Sequence, residues 1–126
     1  MPLRIVAINH DPEFLTLLQE VLSEEGYEPH LFREGAAAYA AVRELAPAAI
    51  ILDIRLEHPT AGWDLLDRLR SDAALGATPI IVCSADLPAL EAQAADQGPR
   101  WHATLAKPFD IDALLDLLHH LIEEAG

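Results

Sequence analysis

Ala49-Ile50-Ile51-Leu52-Asp53 carries the strongest strand signal in the chain. With Ala48 in front, the run is apolar without polar alternation, as expected of a central strand covered on both faces. It closes on a carboxylate. Short β-rich runs recur on either side, separated by longer stretches of helical period. That alternation is the signature of a parallel sheet with helices on both faces.

Working outward, strands are predicted over Leu3–Ile8, Tyr27–Phe32, Ala48–Leu52, Thr78–Cys83 and Trp101–Ala106. Helices are predicted over Pro12–Glu25, Ala36–Leu45, Gly62–Arg70, Ala85–Gln97 and Asp110–Glu124. In the first helix Phe14, Leu15, Leu17, Leu18, Val21 and Leu22 fall at helical spacing, with Asp11 as cap, Pro12 at the first position and Gly26 as the stop. The second is alanine-rich, which suits helix propensity, and ends before Pro47. Ile111, Leu114, Leu115, Leu118 and Leu121 form the inward stripe of the last. Nothing marks a repeat or an interdomain linker, so residues 1–126 are expected to form one domain.

The chain has 126 residues, 52% of them hydrophobic, enough for a single core. A formal net charge of -13 disfavours nucleic acid and anionic membranes and favours cationic partners. The single cysteine, Cys83, excludes an intramolecular disulfide and reads as a buried thiol, which suits a cytoplasmic setting. No leader pattern and no apolar stretch long enough to span a bilayer is present, so neither export nor a membrane is expected.

In an open α/β sheet, ligands gather outside the carboxyl ends of the strands. That rule selects Asn9, His10 and Asp11 after the first strand, Asp53 after the third, Ser84 after the fourth and Lys107 after the fifth. Lys107 is the only lysine in the chain and directly precedes Pro108. Its ammonium is a compact point charge suited to a carboxylate or phosphate at that edge, or to a surface ion pair.

These residues resemble the receiver domain of two-component response regulators over essentially the whole chain. Ile50-Ile51-Leu52-Asp53 is similar to the phosphoacceptor strand, Ser84-Ala85 to the small-hydroxyl site, and Lys107-Pro108-Phe109 to the lysine–proline turn. Pro59 with Gly62-Trp63-Asp64-Leu65-Leu66 is similar to the loop after the phosphoacceptor. The resemblance implies a flavodoxin-like, doubly wound, five-stranded parallel sheet in the order 2-1-3-4-5 with five helices. It further implies that Asp53 accepts a phosphoryl group from a histidine kinase, a phosphotransfer protein or a small phosphodonor. Ser84 and Lys107 would bind the phosphoryl oxygens, and Ser84 would draw its loop inward as the switch. A downstream protein or output domain would read the change on the surface of the last two helices and the fifth strand. The chain would act as a phosphoacceptor, with self-catalysed transfer and autodephosphorylation, rather than as an enzyme, and as a monomer or weak homodimer.

Three departures qualify this picture. The family places two adjacent acids after the first strand to hold Mg²⁺, where this chain has Asn9 and His10; Asp11 matches a variable position. The remaining metal-ligand candidates are His10, Asp11, Asp53 and the backbone carbonyl of Arg55. Magnesium prefers oxygen ligands in near-octahedral geometry, so the replacement weighs against it, and no other cofactor is expected. His10 is left as a ligand for a softer ion, a cation in place of the metal, or a strand-end histidine; Asn9 is left as an uncharged carbonyl ligand at best, or as a turn residue satisfying local backbone groups. Gly62 falls one residue later than in the commonest pattern. Thr104 stands where the family has its aromatic switch residue, so coupling by ring rotation is not expected. The alternative to a working switch is a pseudo-receiver, a protein interaction module independent of phosphorylation. A small-ligand binder on the same edge is disfavoured because Asn9-His10-Asp11-Pro12 lacks a glycine-rich phosphate loop.

Overall fold

The computed structural model describes residues 2–54, 61–75, 77–84, 92, 103–106 and 110–125. They form β1 (Arg4–Ile8), α1 (Pro12–Glu24), β2 (Glu28–Phe32), α2 (Gly35–Leu45), β3 (Ala49–Asp53), α3 (Ala61–Ser71), β4 (Ile80–Ser84), β5 (Ala103–Ala106) and α4 (Ile111–Ala125). The strands make one sheet in the order β2-β1-β3-β4-β5, with every pair parallel. This is the doubly wound arrangement expected from the sequence. Four helices lie among the described residues; the helix expected over Ala85–Gln97 lies outside them, apart from residue 92.

Strand periodicity sorts the core into two layers, because successive side chains point to opposite faces. Val6, Ile8, Ile50, Leu52, Ile80 and Val82 share one face with Val42 of α2 and Leu65, Leu66 and Leu69 of α3. Ile5, Ala7, Ala49, Ile51, Ile81 and Cys83 share the other with Leu15, Leu18 and Leu22 of α1 and Leu114 and Leu118 of α4. All five residues of β3 are buried, which is why its sequence shows no polar alternation.

The helix ends follow local chemistry. Asp11 caps α1, its Oδ1 accepting from Glu13 N at 2.9 Å, and Pro12 occupies the first turn where its missing N–H costs nothing. Beyond α1, Gly26 takes φ +87, where a side chain would be strained. Helix α2 closes differently, on Ala46 in the left-handed region at φ 48. Strand β4 begins at Ile80 rather than Thr78 because Pro79 has no N–H to give the ladder, although its carbonyl accepts from Ile50 N at 2.9 Å. His119 of α4 lies 3.7 Å from Glu25, and His120 lies 3.0 Å from Glu124 one turn on, so both are surface groups beside carboxylates.

The outer strand β2 carries a charged cluster. Glu28 Oε2 accepts from Arg4 Nε at 3.0 Å and lies 2.7 Å from His30 Nε2. The hydrogen bond to His30, opposed by burial and reinforced by Arg4, holds the Glu28 carboxyl below the ordinary glutamate value. A carboxylate with a lower pKa folded than unfolded contributes stability above the unfolded value and loses it as pH falls through the folded one. Glu28→Gln is therefore expected to be less stable than the parent at neutral pH, with the difference closing as pH drops below 4.5. Urea midpoints at neutral and acid pH check this, and the exposed setting keeps the effect small. An undiminished difference in acid would contradict it.

Candidate functional site

The sheet order reverses between β1 and β3, so the crevice outside their carboxyl ends is the place for chemistry. Ile8 pairs with Leu52, which puts Asn9 and Asp53 next in line on neighbouring strands. By strand alternation both follow Ala7 and Ile51 on the α1 and α4 face of the sheet. Among the described residues the buried polar or charged ones are Asn9, 4% exposed, and Asp53, 5% exposed. Burying polar groups is unfavourable unless their hydrogen-bonding capacity is met. Two such groups side by side at the switch point mark a site rather than a gap in the core.

Register extends the same row. Asp53 pairs with Cys83, which is 1% exposed, and Cys83 pairs with Leu105. One step farther out, Ile54 N donates to Cys83 O at 3.3 Å, and Ser84 at the end of β4 pairs with Ala106 at the end of β5. The backbone of Ser84 is thus at the same edge as Asp53, and Lys107 is the next residue after Ala106. Lys107 and Arg55 themselves lie outside the described residues, as do His58, Trp101 and His102. Thr104 pairs with Val82 and is exposed on the outer strand β5.

The β1–α1 turn spends its oxygens on its own backbone. Asn9 N donates to Phe32 O at 3.0 Å, and Asn9 Oδ1 accepts from Asp11 N at 2.8 Å. Asp11 is exposed and directs Oδ1 at Glu13 N as the α1 cap. His10 is exposed and lines a cleft of about 400 Å³ with Leu31, Phe32, Arg33, Glu34 and Ala37. That cleft lies over the ends of β2 and the start of α2, and Arg33 Nη2 makes a long 3.5 Å contact to the His10 carbonyl. Asn9 is therefore a turn residue satisfying backbone, one of the two uses its sequence position left open. The Arg33 contact was not anticipated, although Arg33 follows the last residue of β2 and the carboxyl-edge rule would have reached it.

A magnesium ion would need several oxygen ligands around Asp53. Among the described residues no three His, Cys, Asp or Glu side chains come together to hold a metal. The Asn9 oxygen faces Asp11, the Asp11 carboxylate faces the helix, and His10 offers nitrogen beside a different cleft. The described side chains do not make a magnesium site.

Comparison with known proteins gives the family. Residues 5–119 match the response regulator receiver domain. The chain belongs to that family. The DNA-binding response regulator MtrA of Mycolicibacterium smegmatis is 34% identical over 82 residues, which are 65% of this chain and 34% of that protein. The transcriptional regulatory protein KdpE of Mycobacterium tuberculosis is 33% identical over 112 residues, 88% of this chain and 47% of that protein. The chain thus spans less than half the length of these relatives. The crystal structure of a sensor protein from Polaromonas sp. JS666 superimposes with a TM-score of 0.86 at 28% identity, covering 99% of this chain and 98% of that one. The receiver assignment agrees with the sheet order, the switch-point site and the flavodoxin-like layering.

Proposed function

We propose that Asp53 of this receiver accepts a phosphoryl group and thereby switches a protein interaction surface. One observation carries the reading: a buried carboxylate ends the central strand of a receiver fold at its switch point, beside the one other buried polar residue among those described. A carboxylate oxygen of Asp53 attacks phosphorus, the bond from phosphorus to the leaving group breaks, and the leaving group departs with the bonding pair. The product is an acyl phosphate on Asp53. Phosphoryl transfer depends on positioning and charge stabilisation more than on covalent assistance. Ser84 and Lys107 are assigned to the phosphoryl oxygens, with Ser84 as the switch and Thr104 on the strand that would carry the signal onward without ring rotation.

The donor class is a histidine kinase, a phosphotransfer protein or a small phosphodonor. Relatives described as DNA-binding or transcriptional regulators point to an output domain or downstream protein as the reader. Among the described residues no helix is long and apolar enough to cross a membrane, and a cytoplasmic setting belongs to the proposal. The chain serves as phosphoacceptor, not as an enzyme acting on a separate substrate. The pseudo-receiver is the second reading, favoured by the neutral Asn9 in the place of an acid.

Intact mass after incubation with acetyl phosphate separates the two. The expected result is a gain of one phosphoryl mass in the parent and none in Asp53→Asn. A folded parent that gains nothing while an active control receiver is labelled would favour the interaction module.

A further inference from the structure

Asn9 is 4% exposed, and the orientation of its amide is fixed. The N–H of Asp11 at 2.8 Å requires an acceptor, so the oxygen occupies that side and the NH₂ group is turned away from it. Among the described residues that nitrogen has no hydrogen-bond partner, yet it is not closed off from solvent. Its donor capacity is left to solvent or to a group that enters the crevice. Register puts Asn9 next in line beside Asp53 on the neighbouring strand, and strand alternation gives both residues the same face of the sheet.

We propose that Asn9 is the phosphoryl-binding donor that takes the place of a metal ion at this site, its side-chain NH₂ donating to an oxygen of the phosphoryl group received by Asp53. The inference rests on the reading of Asp53 as acceptor and adds the cation requirement of that reaction, which becomes none. Two carboxylates beside Asp53 would repel an incoming phosphoryl group until a cation neutralised them. One largely buried amide removes that charge and supplies an oriented donor where negative charge accumulates. Asp11 and His10 do not compete for the role. The first is engaged in capping α1 and the second lines the cleft toward Arg33.

Asn9→Asp is the informative substitution, since a carboxylate oxygen can still accept from Asp11 N while the donor is lost. The parent and Asn9→Asp are each incubated with acetyl phosphate in Mg²⁺ or in chelator, and phosphoryl incorporation is followed by intact mass. The parent is expected to react at the same rate in both. Asn9→Asp is expected to slow by about a hundredfold in chelator, the scale of losing one oriented donor to a developing anion, and to recover with Mg²⁺. Calorimetric titration with MgCl₂, in the absence of any phosphodonor, should show saturable binding by Asn9→Asp and none by the parent. A parent that is labelled on Asp53 only when Mg²⁺ is present would overturn this role for Asn9 while leaving Asp53 as acceptor. Labelling of Asn9→Asp in chelator at the parental rate would overturn it equally. A parent labelled under no condition removes both. The chelator arm on the parent decides the question even if Asn9→Asp folds poorly.

Discussion

Gly62→Ala is expected to cost about 2–4 kcal/mol of stability, the upper range of overpacking effects. Gly62 is buried near the start of α3, and a Cβ placed there would run into the carbonyl group and Cα of Ile54. The requirement is spatial, because backbone meets backbone and no rotamer change relieves it. Neither side has room to retreat. Ile54 is 6% exposed in the core, and its N–H donates to Cys83 O at 3.3 Å. Helix α3 is anchored by Leu65, Leu66 and Leu69, and by contacts across to α2, where Arg68 stacks 4.1 Å from the Tyr39 ring centroid and Tyr39 donates to Asp72 at 3.1 Å. Because Ile54 follows Asp53 directly, the substitution should also reduce phosphoryl incorporation per folded molecule. Urea denaturation and intact mass on the same preparation check both effects. An unchanged denaturation midpoint would mean that α3 can shift, contrary to this packing.

Leu52→Ala is expected to cost about 2–5 kcal/mol, the range for removing a buried leucine side chain without collapse of the cavity. Leu52 is fully buried at the middle of the sheet, with Ile8 and Val82 beside it in register on the α2 and α3 face. A domain of this class has only about 5–15 kcal/mol in total, so the variant should be close to unfolding at moderate temperature. Leu17→Ala is the matched comparison, since Leu17 is 41% exposed on α1 and its loss should stay within about 0.5 kcal/mol. Urea titrations should show the two midpoints well separated with similar slopes. Equal effects would mean that the burial assigned to β3 is mistaken.

The run Ala49–Asp53 was legible because a strand covered on both faces must be apolar throughout, and its terminal aspartate could then be placed by topology. Asp11, Pro12 and Gly26 were legible for a similar reason, since caps and stops use chemistry local to the chain. Contacts between strands were less so. The Arg4, Glu28 and His30 cluster and the pairing of Asp53 with Cys83 depend on register, which periodicity within one strand does not encode. The approach of Gly62 to Ile54 left only a glycine as its trace, and glycine has many uses. Ala46 closes α2 in a conformation that its side chain does not advertise, so only Pro47 marked the boundary. His10 had three readings in sequence; its place beside Arg33 and the β2 end was fixed by the turn that Asn9 builds. Asn9 itself was read as a backbone-satisfying residue or a poor metal ligand, and its burial next to Asp53 needed the assembled sheet to be seen.

The most direct measurement is the location of the phosphoryl group on the labelled protein. Borohydride reduces an acyl phosphate to an alcohol, converting a phosphorylated aspartate to homoserine, which peptide mass mapping then places in the sequence. The expected result after labelling with acetyl phosphate is homoserine at position 53 in the parent, with none at that position in unlabelled protein. Homoserine at another aspartate, or an unmodified Asp53 when a control receiver treated in parallel is converted, would contradict the assignment of Asp53 as the phosphoacceptor.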